Sequence, residues 1–420
     1  MSPAAGRRSL LGVDVRVLVV SVLTGVAAGV GGIALTALLH AAQHFAFGYT
    51  EQTFLVGVER ASPTRRMAAM GIGGLVVGCG WWALRRWSAP MRPIEEVLAD
   101  HRTRIPIRVS TADAALQIIT VGFGASLGRE GAPRQVGAAL AGWLASRLRL
   151  DPAARRTIIA CGAGAGLAAV YNVPLGGALF TLEVLLASAA IRDVVPALIS
   201  AAVAALVAWP ITQFQPTYQL TPQTFHWPLL AWAVMVGPVA GAAGTGFIRL
   251  TTWCRRHPPT GWRLPIATTV LFTAVGALAI PYPQLLGNGK GPAQLAFDGA
   301  LTLVTFAVLT LLKPLATAAS LASGAAGGLL TPALATGAML GAATGGAWSL
   351  LWPGAPIAGY AIIGGAAFLA TTQRAPLCAI ILVLEFTHTG LDLALPMLLA
   401  VAAAVITANA TAPRPKCVDI

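Results

Sequence analysis

Charged residues are scarce in this 420-residue sequence. Only 10% of the residues are charged, whereas an ordinary soluble domain carries about 25%. So large a shortfall indicates that most of the protein surface faces a solvent other than water. The hydrophobic share of 56% agrees with this interpretation.

Cysteines are also few, and they show no metal-binding or disulfide pattern. The five of them lie far apart, mostly in apolar surroundings, and are typical of small core residues: Cys79, Cys161, Cys254, Cys378 and Cys417. The sequence also lacks an H-E-x-x-H pair, a phosphate-binding loop of the Walker type and a dinucleotide fingerprint. We therefore expect no metal, no cofactor and no catalytic residue.

Long apolar runs are abundant instead. They cover residues 17–39, 67–84, 194–210, 229–248, 266–280 and 397–410. Several are long enough to cross a hydrocarbon core of about 30 Å. Another run, 300–312, is shorter and suggests a tilted or re-entrant helix. The sequence therefore predicts an all-α, multi-pass membrane protein with some tilted and broken helices.

The net charge of +13 comes from arginines between the apolar runs. Such basic loops are expected on the cytoplasmic side of the membrane. A nucleic-acid groove would need a soluble domain, and no polar stretch is long enough to form one. The expected surroundings are therefore a lipid bilayer, with no nucleic acid as partner. High alanine, glycine and arginine usage suggests a bacterial plasma membrane.

The chain divides into one membrane domain with short ends. We predict an N-terminal cytoplasmic segment at 1–14, a transmembrane domain at 15–412 and a C-terminal tail at 413–420. A polar, proline-containing break at 213–228 separates a first half of about 15–212 from a second half of about 228–412.

The two halves contain an internal repeat. Residues 162–183 match residues 364–385, which lie 202 positions later (364 − 162), at 8 of 22 positions. The shared proline-leucine pair and the leucine-glutamate pair keep their spacing. Repeated halves are characteristic of secondary transporters, in which the substrate site lies between the halves. Chance similarity in an alanine-rich chain is the alternative.

Three acidic residues lie within apolar segments: Glu130, Glu183 and Glu385. Ionisable groups at membrane depth are costly and are functional candidates. Glu183 and Glu385 occupy equivalent repeat positions near helix ends. For both we favour a structural carboxylate that accepts hydrogen bonds from backbone amides or lies against a basic loop.

Glu130 differs because glycines and a proline bracket it in G-R-E-G-A-P at 128–133. A helix is expected to begin at about Gly131, since proline suits a first helical turn. The free amides of Gly131 and Ala132 would then attract an anion, and a second helix start at 328–332 offers a matching site. Glu130 could compete for that site while ionised and leave it when protonated. An ordinary Arg129–Glu130 ion pair in a loop is the alternative.

A hydrolase is the competing class of function. Residues 124–128 fit the G-x-S-x-G nucleophile pattern around Ser126. The six histidines lie mainly at segment edges, and none is a convincing partner for Ser126. In a chain this rich in glycine and alanine we interpret the match as accidental.

At these residues the chain resembles the CLC family of chloride channels and proton/chloride antiporters, in its prokaryotic form without CBS domains. The segment at 128–133 is similar to the family's G-R-E-G-P motif, and 327–332 resembles G-G-x-F-x-P. The stretches 171–183 and 374–385 resemble the family's N-x-P-L and R-A-P-L helices, each of which ends in a glutamate.

The resemblance implies a homodimer with an anion pathway in each subunit and two inverted halves. It implies that Glu130 is the gating residue, that chloride is the transported ligand and that helix-end residues bind the anion. The anion-binding residues implied in this way are Gly128, Arg129, Gly131, Ala132, Gly328, Leu329 and Leu330.

Four positions depart from the family pattern. The inner-serine motif falls on 89–93, which has no serine in register, and the C-terminal tyrosine falls on Cys417 or Val418. Val184 stands where proton-coupled members carry a second glutamate, and Leu330 replaces the phenylalanine. We therefore expect channel-like conduction of small monovalent anions with little proton coupling. A proton-coupled chloride antiporter and a fluoride exporter are the alternatives.

Overall fold

The computed structural model describes residues 9–10, 13–50, 53–88, 92–100, 105–213 and 215–411. The predicted tail at 413–420 and most of the predicted segment at 1–14 lie outside the described residues. The same holds for residues 89–91 of the inner-serine position and for Cys417 and Val418.

Helices make up almost all of the regular structure. The α-helices of the described chain are α1 (Val15–Phe47), α2 (Phe54–Arg60), α3 (Pro63–Trp87), α4 (Ile94–Ala99), α5 (Ile107–Gly122), α6 (Gly131–Arg147), α7 (Pro152–Tyr171), α8 (Pro174–Leu179), α9 (Ile191–Thr212), α10 (Trp227–Arg256), α11 (Arg263–Leu278), α12 (Lys290–Phe297), α13 (Leu303–Ala322), α14 (Leu330–Ser349), α15 (Ile357–Gln373), α16 (Pro376–Thr387) and α17 (Ala394–Thr411).

A few short elements complete the chain. A π-helical turn, Phe180–Leu186, continues α8, and 3-10 turns lie at Pro283–Leu285 and Leu391–Leu393. Two antiparallel strands of two residues each, β1 (Ser9–Leu10) and β2 (Val13–Asp14), precede α1. The all-α class is therefore confirmed.

Six helical segments of the described chain are long and apolar enough to cross a membrane: Val15–Phe47, Pro63–Trp87, Ile191–Thr212, Trp227–Arg256, Leu303–Ala322 and Leu391–Thr411. One of them extends beyond the apolar run that predicted it. The run 300–312 is short, but α13 has 20 residues. The apolar run ends at Lys313 and Pro314, whereas the helix continues through both.

The repeat predicted from the sequence has a structural counterpart. Asn172 directly follows α7 and Arg374 directly follows α15, and both residues adopt a left-handed conformation, with φ of 56° and 53°. α8 and α16 then begin at Pro174 and Pro376. Equivalent helices also pack in equivalent ways, because α6 lies against α7 as α14 lies against α15, and α1 against α9 as α10 against α17.

Glycine pairs set the position of the two helices that carry the site. α6 crosses α7 at Gly137 and Gly162, and α14 crosses α15 at Gly337 and Gly364. A Cβ atom on any of these glycines would overlap backbone of the facing helix. Small residues permit such close approach between membrane helices. The N-termini of α6 and α14 are therefore fixed by backbone contact.

Candidate functional site

Two equivalent loops, one from each half, meet inside the protein. The loop before α6 and the loop before α14 pair antiparallel at Gly128 and Gly328. The Gly128 amide donates to the Gly328 carbonyl at 2.7 Å, and the Gly328 amide donates to the Gly128 carbonyl at 2.9 Å. The pairing brings the starts of the two helices together. Helix starts at Gly131 and at Leu330 confirm the positions expected from the sequence.

The carboxylate of Glu130 lies at the N-terminus of α14 and not at that of its own helix. Its Oε1 accepts a hydrogen bond of 2.6 Å from the Leu330 amide. Its Oε2 accepts from the Thr331 hydroxyl at 3.0 Å and from the Tyr171 hydroxyl at 3.3 Å. Although Glu130 is the N-cap residue of α6, its side chain makes no capping bond there. We call the Leu330 amide and the Thr331 hydroxyl the α14 seat.

This position suits an anion for elementary reasons. A helix N-terminus presents amides without helical partners, and the helix dipole adds partial positive charge. Glu130 is 1% exposed, and its neighbours in the seat are neutral donors. A carboxylate in this place occupies the position that a small free anion would take.

Three glycines leave the space that neighbouring side chains occupy at this site. A Cβ atom on Gly128 or on Gly328 would overlap the Glu130 carboxyl group. A Cβ atom on Gly131 would overlap the Gln117 side chain. Leu329 is the N-cap residue of α14, and Ala132 is fully buried in the first turn of α6. The structure thus brings six of the seven predicted anion-binding residues around one point, whereas the guanidinium of the seventh, Arg129, is bound to the Val170 carbonyl.

The Arg129 guanidinium is bound to partners other than Glu130. Its Nη2 donates to the Val170 carbonyl at 2.9 Å, and its guanidinium lies 4.8 Å from the centre of the Tyr171 ring. The alternative of an ordinary Arg129–Glu130 loop pair therefore does not describe this geometry. Arg129 instead fixes the end of α7 against the loop before α6.

A cavity of about 1800 Å³ reaches the site. Seven arginines are among the residues that line it: Arg85, Arg92, Arg108, Arg134, Arg147, Arg155 and Arg255. Basic residues collect on the cytoplasmic side, so we call this space the inner cavity. It extends to Glu130, Gly131 and Gly328. Anions entering from the inside therefore approach through an electropositive space.

Glu183 and Glu385 have reciprocal structural roles. Glu183 accepts hydrogen bonds from the amides of Leu377 and Cys378 at 3.2 and 2.6 Å. Glu385 accepts from the amides of Leu175 and Gly176 at 2.9 and 2.6 Å. Each carboxylate thus caps the helix that carries the other one. This two-fold exchange between α8 and α16 fits the structural interpretation that we favoured.

Val184 and Glu183 point in different directions. Val184 lines the inner cavity, whereas the Glu183 carboxylate is bound at the start of α16. Successive helical residues point about 100° apart, which accounts for the difference. On this wall of the cavity Val184 therefore presents a side chain that cannot titrate.

Ser126, the candidate nucleophile, is fully buried beneath the site. Its hydroxyl lies 3.0 Å from the Thr317 hydroxyl. A serine nucleophile needs a neighbouring base, and a threonine hydroxyl is not one. The geometry is that of a buried hydroxyl pair, which leaves no support for the hydrolase alternative.

Sequence reasoning missed two acidic residues. Asp113 on α5 and Asp193 on α9 are both buried within helices. Asp193 accepts from the hydroxyls of Thr157 and Ser188 and is a structural group. Asp113 instead lines the inner cavity. The available signal was an acidic residue in α5, although that segment also carries other polar residues.

Tyr171 and Thr331 were missed as well. Both hydroxyls contact Glu130, yet each residue lies inside a motif that was identified for other reasons. Thr331 directly precedes the proline of the α14 motif, and Tyr171 directly precedes the N-V-P-L sequence. Among the described residues, no group of three or more histidine, cysteine or acidic side chains is placed to hold a metal.

Comparisons with known proteins agree with the family resemblance of the sequence. A family model described as voltage gated chloride channel matches residues 73–409. A Ralstonia nicotianae protein, named for its likeness to the chloride channel protein ClcB, is 31% identical over 412 residues, covering 94% of each chain. The voltage-gated ClC-type chloride channel ClcB of Escherichia coli O17:K52:H18 is 32% identical over 346 residues, covering 78% of this chain and 80% of that one.

Two solved structures have a similar fold. A slow cyanobacterial Cl⁻/H⁺ antiporter matches with a TM-score of 0.82 and 24% identity, covering 95% of this chain and 96% of that one. A CLC-type fluoride/proton antiporter matches with a TM-score of 0.77 and 20% identity, covering 96% and 97%. At these identities the likeness establishes the architecture, with its two related halves. The bacterial relatives place the chain in a bacterial plasma membrane, and the names point to transport and not to catalysis.

Proposed function

The chain belongs to the voltage-gated chloride channel family, and from this membership we propose that it conducts small monovalent anions, mainly chloride, through a pathway gated by Glu130. Transport of small anions follows from the family. The channel-like mechanism, the gating role of Glu130 and assembly as a homodimer are the finer parts of the proposal.

One observation carries the gating role. The Glu130 carboxylate occupies the α14 seat, where it accepts a hydrogen bond from the Leu330 amide. That seat borders the arginine-lined inner cavity. A bound carboxylate and a bound chloride exclude each other there. Protonation removes the negative charge that the seat favours, so acid should free the seat for anions.

Val184 supports channel-like conduction. Exchange requires a proton to reach Glu130 from the inside, and an apolar wall does not carry charge cheaply. Val184 lines the inner cavity at the position of the missing glutamate. Without a titratable group there, an anion can cross without a proton returning.

Proton-coupled exchange is the second candidate, and Asp113 favours it. Its carboxylate accepts from the Trp81 indole and from the Gln117 amide, both at 2.7 Å. It lines the same inner cavity as Glu130. Gln117 extends from Asp113 towards Gly131, beside Glu130. Water in the cavity could connect the two carboxyl groups and replace the relay that Val184 lacks.

A joint flux measurement separates the candidates. Purified protein is reconstituted in chloride-loaded liposomes, and chloride efflux and proton uptake are recorded in the same sample. We expect chloride efflux with little or no uphill proton uptake, and Val184→Glu to increase proton uptake. Strong proton pumping that Glu130→Ala abolishes would establish an exchanger. Loss of that pumping in Asp113→Asn, but not in the matched variant Asp193→Asn, would place the path at Asp113.

Anion selectivity, measured in the same assay, distinguishes the third candidate, which is a fluoride exporter. Amides and apolar walls discriminate weakly among monovalent anions. We therefore expect chloride, bromide and nitrate to permeate within about tenfold of one another, which is roughly 1.4 kcal/mol. Efflux that strongly prefers fluoride would identify a fluoride exporter instead.

A further inference from the structure

Three oxygen-bearing groups form a closed triangle at the α14 seat. Oε2 of Glu130 lies 3.0 Å from the Thr331 hydroxyl and 3.3 Å from the Tyr171 hydroxyl. The two hydroxyls lie 3.2 Å apart. Tyr171 is 3% exposed and Thr331 is 1% exposed. The hydroxyls come from different halves of the chain, one from the end of α7 and the other from the first turn of α14.

The number of hydroxyl protons determines which hydrogen bonds this triangle can form. An ionised carboxylate only accepts hydrogen bonds, and each hydroxyl has a single proton to donate. While Glu130 is ionised, both hydroxyls can donate to Oε2, together with the amide of Leu330 on Oε1. When Glu130 leaves, the Tyr171 hydroxyl can donate to Thr331, whose proton is then free for another acceptor. Neither buried hydroxyl is left without a partner, which would be costly.

Packing holds Tyr171 in place independently of Glu130. Its ring meets the Phe386 ring edge-on at 5.4 Å, and the Arg129 guanidinium lies over its face. The Thr217 hydroxyl donates to the Tyr171 carbonyl at 3.2 Å. Thr331 is fixed by the first turn of α14. Both hydroxyls therefore stay at the seat whether or not Glu130 occupies it.

We propose that Tyr171 and Thr331 determine both the strength of the gate and the affinity of the seat for the permeating anion. While Glu130 is ionised, the two hydroxyls hold its carboxylate in the seat. After Glu130 leaves, the same hydroxyls and the Leu330 amide bind the anion. The inference rests on the proposed gating role of Glu130 and adds the residues that set its pH dependence.

Other charged or titratable groups lie near Glu130, and the hydroxyl-deleting variants replace none of them. Arg129 lies next to it in the chain, and Arg134 on α6, Arg255 on α10 and Tyr218 are within electrostatic reach. They act on Glu130 through space and not through a direct hydrogen bond.

The test compares hydroxyl-deleting variants with matched controls. Tyr171→Phe and Thr331→Val each remove one hydroxyl and keep the size of the side chain. Thr331→Ser restores the hydroxyl. Tyr360→Phe and Thr336→Val delete hydroxyls on α15 and α14 that do not contact Glu130. Chloride efflux from liposomes is measured over a pH series, and the pH of half-maximal efflux is determined for each variant.

We expect Tyr171→Phe and Thr331→Val each to move this midpoint upwards by about one pH unit, because one hydrogen bond to the ionised carboxylate is lost. The sign follows because a less stabilised carboxylate is protonated, and released, at higher pH. The double variant should move further, and Thr331→Ser and the two controls should stay near the parent midpoint.

The second half of the proposal is tested in the Glu130→Gln background. There we expect Thr331→Val to weaken chloride binding several-fold, as measured by calorimetric titration with chloride. Unchanged chloride binding would overturn the role of the hydroxyls in the seat. Unchanged midpoints in Tyr171→Phe and Thr331→Val, with pH dependence abolished by Glu130→Gln, would overturn the gate-strength role while leaving the gate intact. Persistent pH dependence in Glu130→Gln would instead refute the proposed function.

Discussion

The protein binds carboxylates at helix N-termini in two regions, and the regions differ in what the carboxylate is free to do. Glu183 and Glu385 each accept from two backbone amides, in a reciprocal exchange between α8 and α16. Glu130 accepts from one amide and two hydroxyls at α14. The first arrangement joins the halves of the chain, and the second lies at the end of a cavity.

Chain geometry accounts for the difference. Glu183 and Glu385 lie inside helical segments, so their backbone is fixed on both sides. Glu130 lies at the end of a loop, next to Gly128 and Gly131, and it leaves the first turn of α6 without a side-chain cap. A carboxylate bound at a helix N-terminus is therefore structural where both partners lie in rigid helices. The same interaction is a candidate gate at Glu130, because this residue lies in a loop and its carboxylate borders a cavity.

Blocking the seat should have the largest effect. In Gly328→Ala the new methyl group would overlap the Glu130 carboxyl group, and it would exclude an arriving anion for the same reason. We expect chloride efflux to fall at least about tenfold, equivalent to roughly 1.4 kcal/mol, and to lose its pH dependence. Efflux from liposomes measures this.

Gly246→Ala is the matched control, because nothing lies within 4 Å of a Cβ at that glycine of α10. It should conduct like the parent. Parent-like efflux and pH dependence in Gly328→Ala would mean that anions and Glu130 do not share the α14 seat.

Removing charge at the other region should affect stability instead of gating. In Glu183→Gln or Glu385→Gln the new amide group donates where a backbone amide also donates, so one hydrogen bond is lost and one contact becomes repulsive. We expect a loss of about 1–3 kcal/mol in the free energy of unfolding for each. Chemical unfolding of the detergent-solubilised protein would show it.

The pH dependence of efflux in these two variants should match that of the parent. A change in pH dependence as large as that produced by Glu130→Gln would break the comparison, since it would give a gating role to the α8–α16 junction.

Local signals made much of the site predictable from the sequence. Proline marked the helix starts at Gly131 and Leu330, because its ring fixes φ at a value that suits the first turn of a helix. The repeat spacing placed Glu183 and Glu385 at equivalent points. Because carboxylates generally accept hydrogen bonds from backbone amides, a carboxylate near a helix end could be interpreted as a helix cap.

Contacts between the halves were not predictable in this way. Glu130 could be placed beside α6, but its partners Leu330 and Thr331 lie about 200 residues further along the chain. The Tyr171 hydroxyl reaches the seat only because α7 packs against the loop before α6. Asp113 was overlooked because its α5 segment carries other polar residues, and its exposure to the inner cavity depends on the fold.

Glu130→Gln tests the central claim most directly. Gln is close in size to a protonated glutamate and cannot ionise, so the variant should behave as a gate that is always released. In liposomes, chloride efflux of the parent should rise as external pH falls, while efflux of Glu130→Gln should be high and independent of pH. If Glu130→Gln keeps the pH dependence of the parent, Glu130 is not the gate.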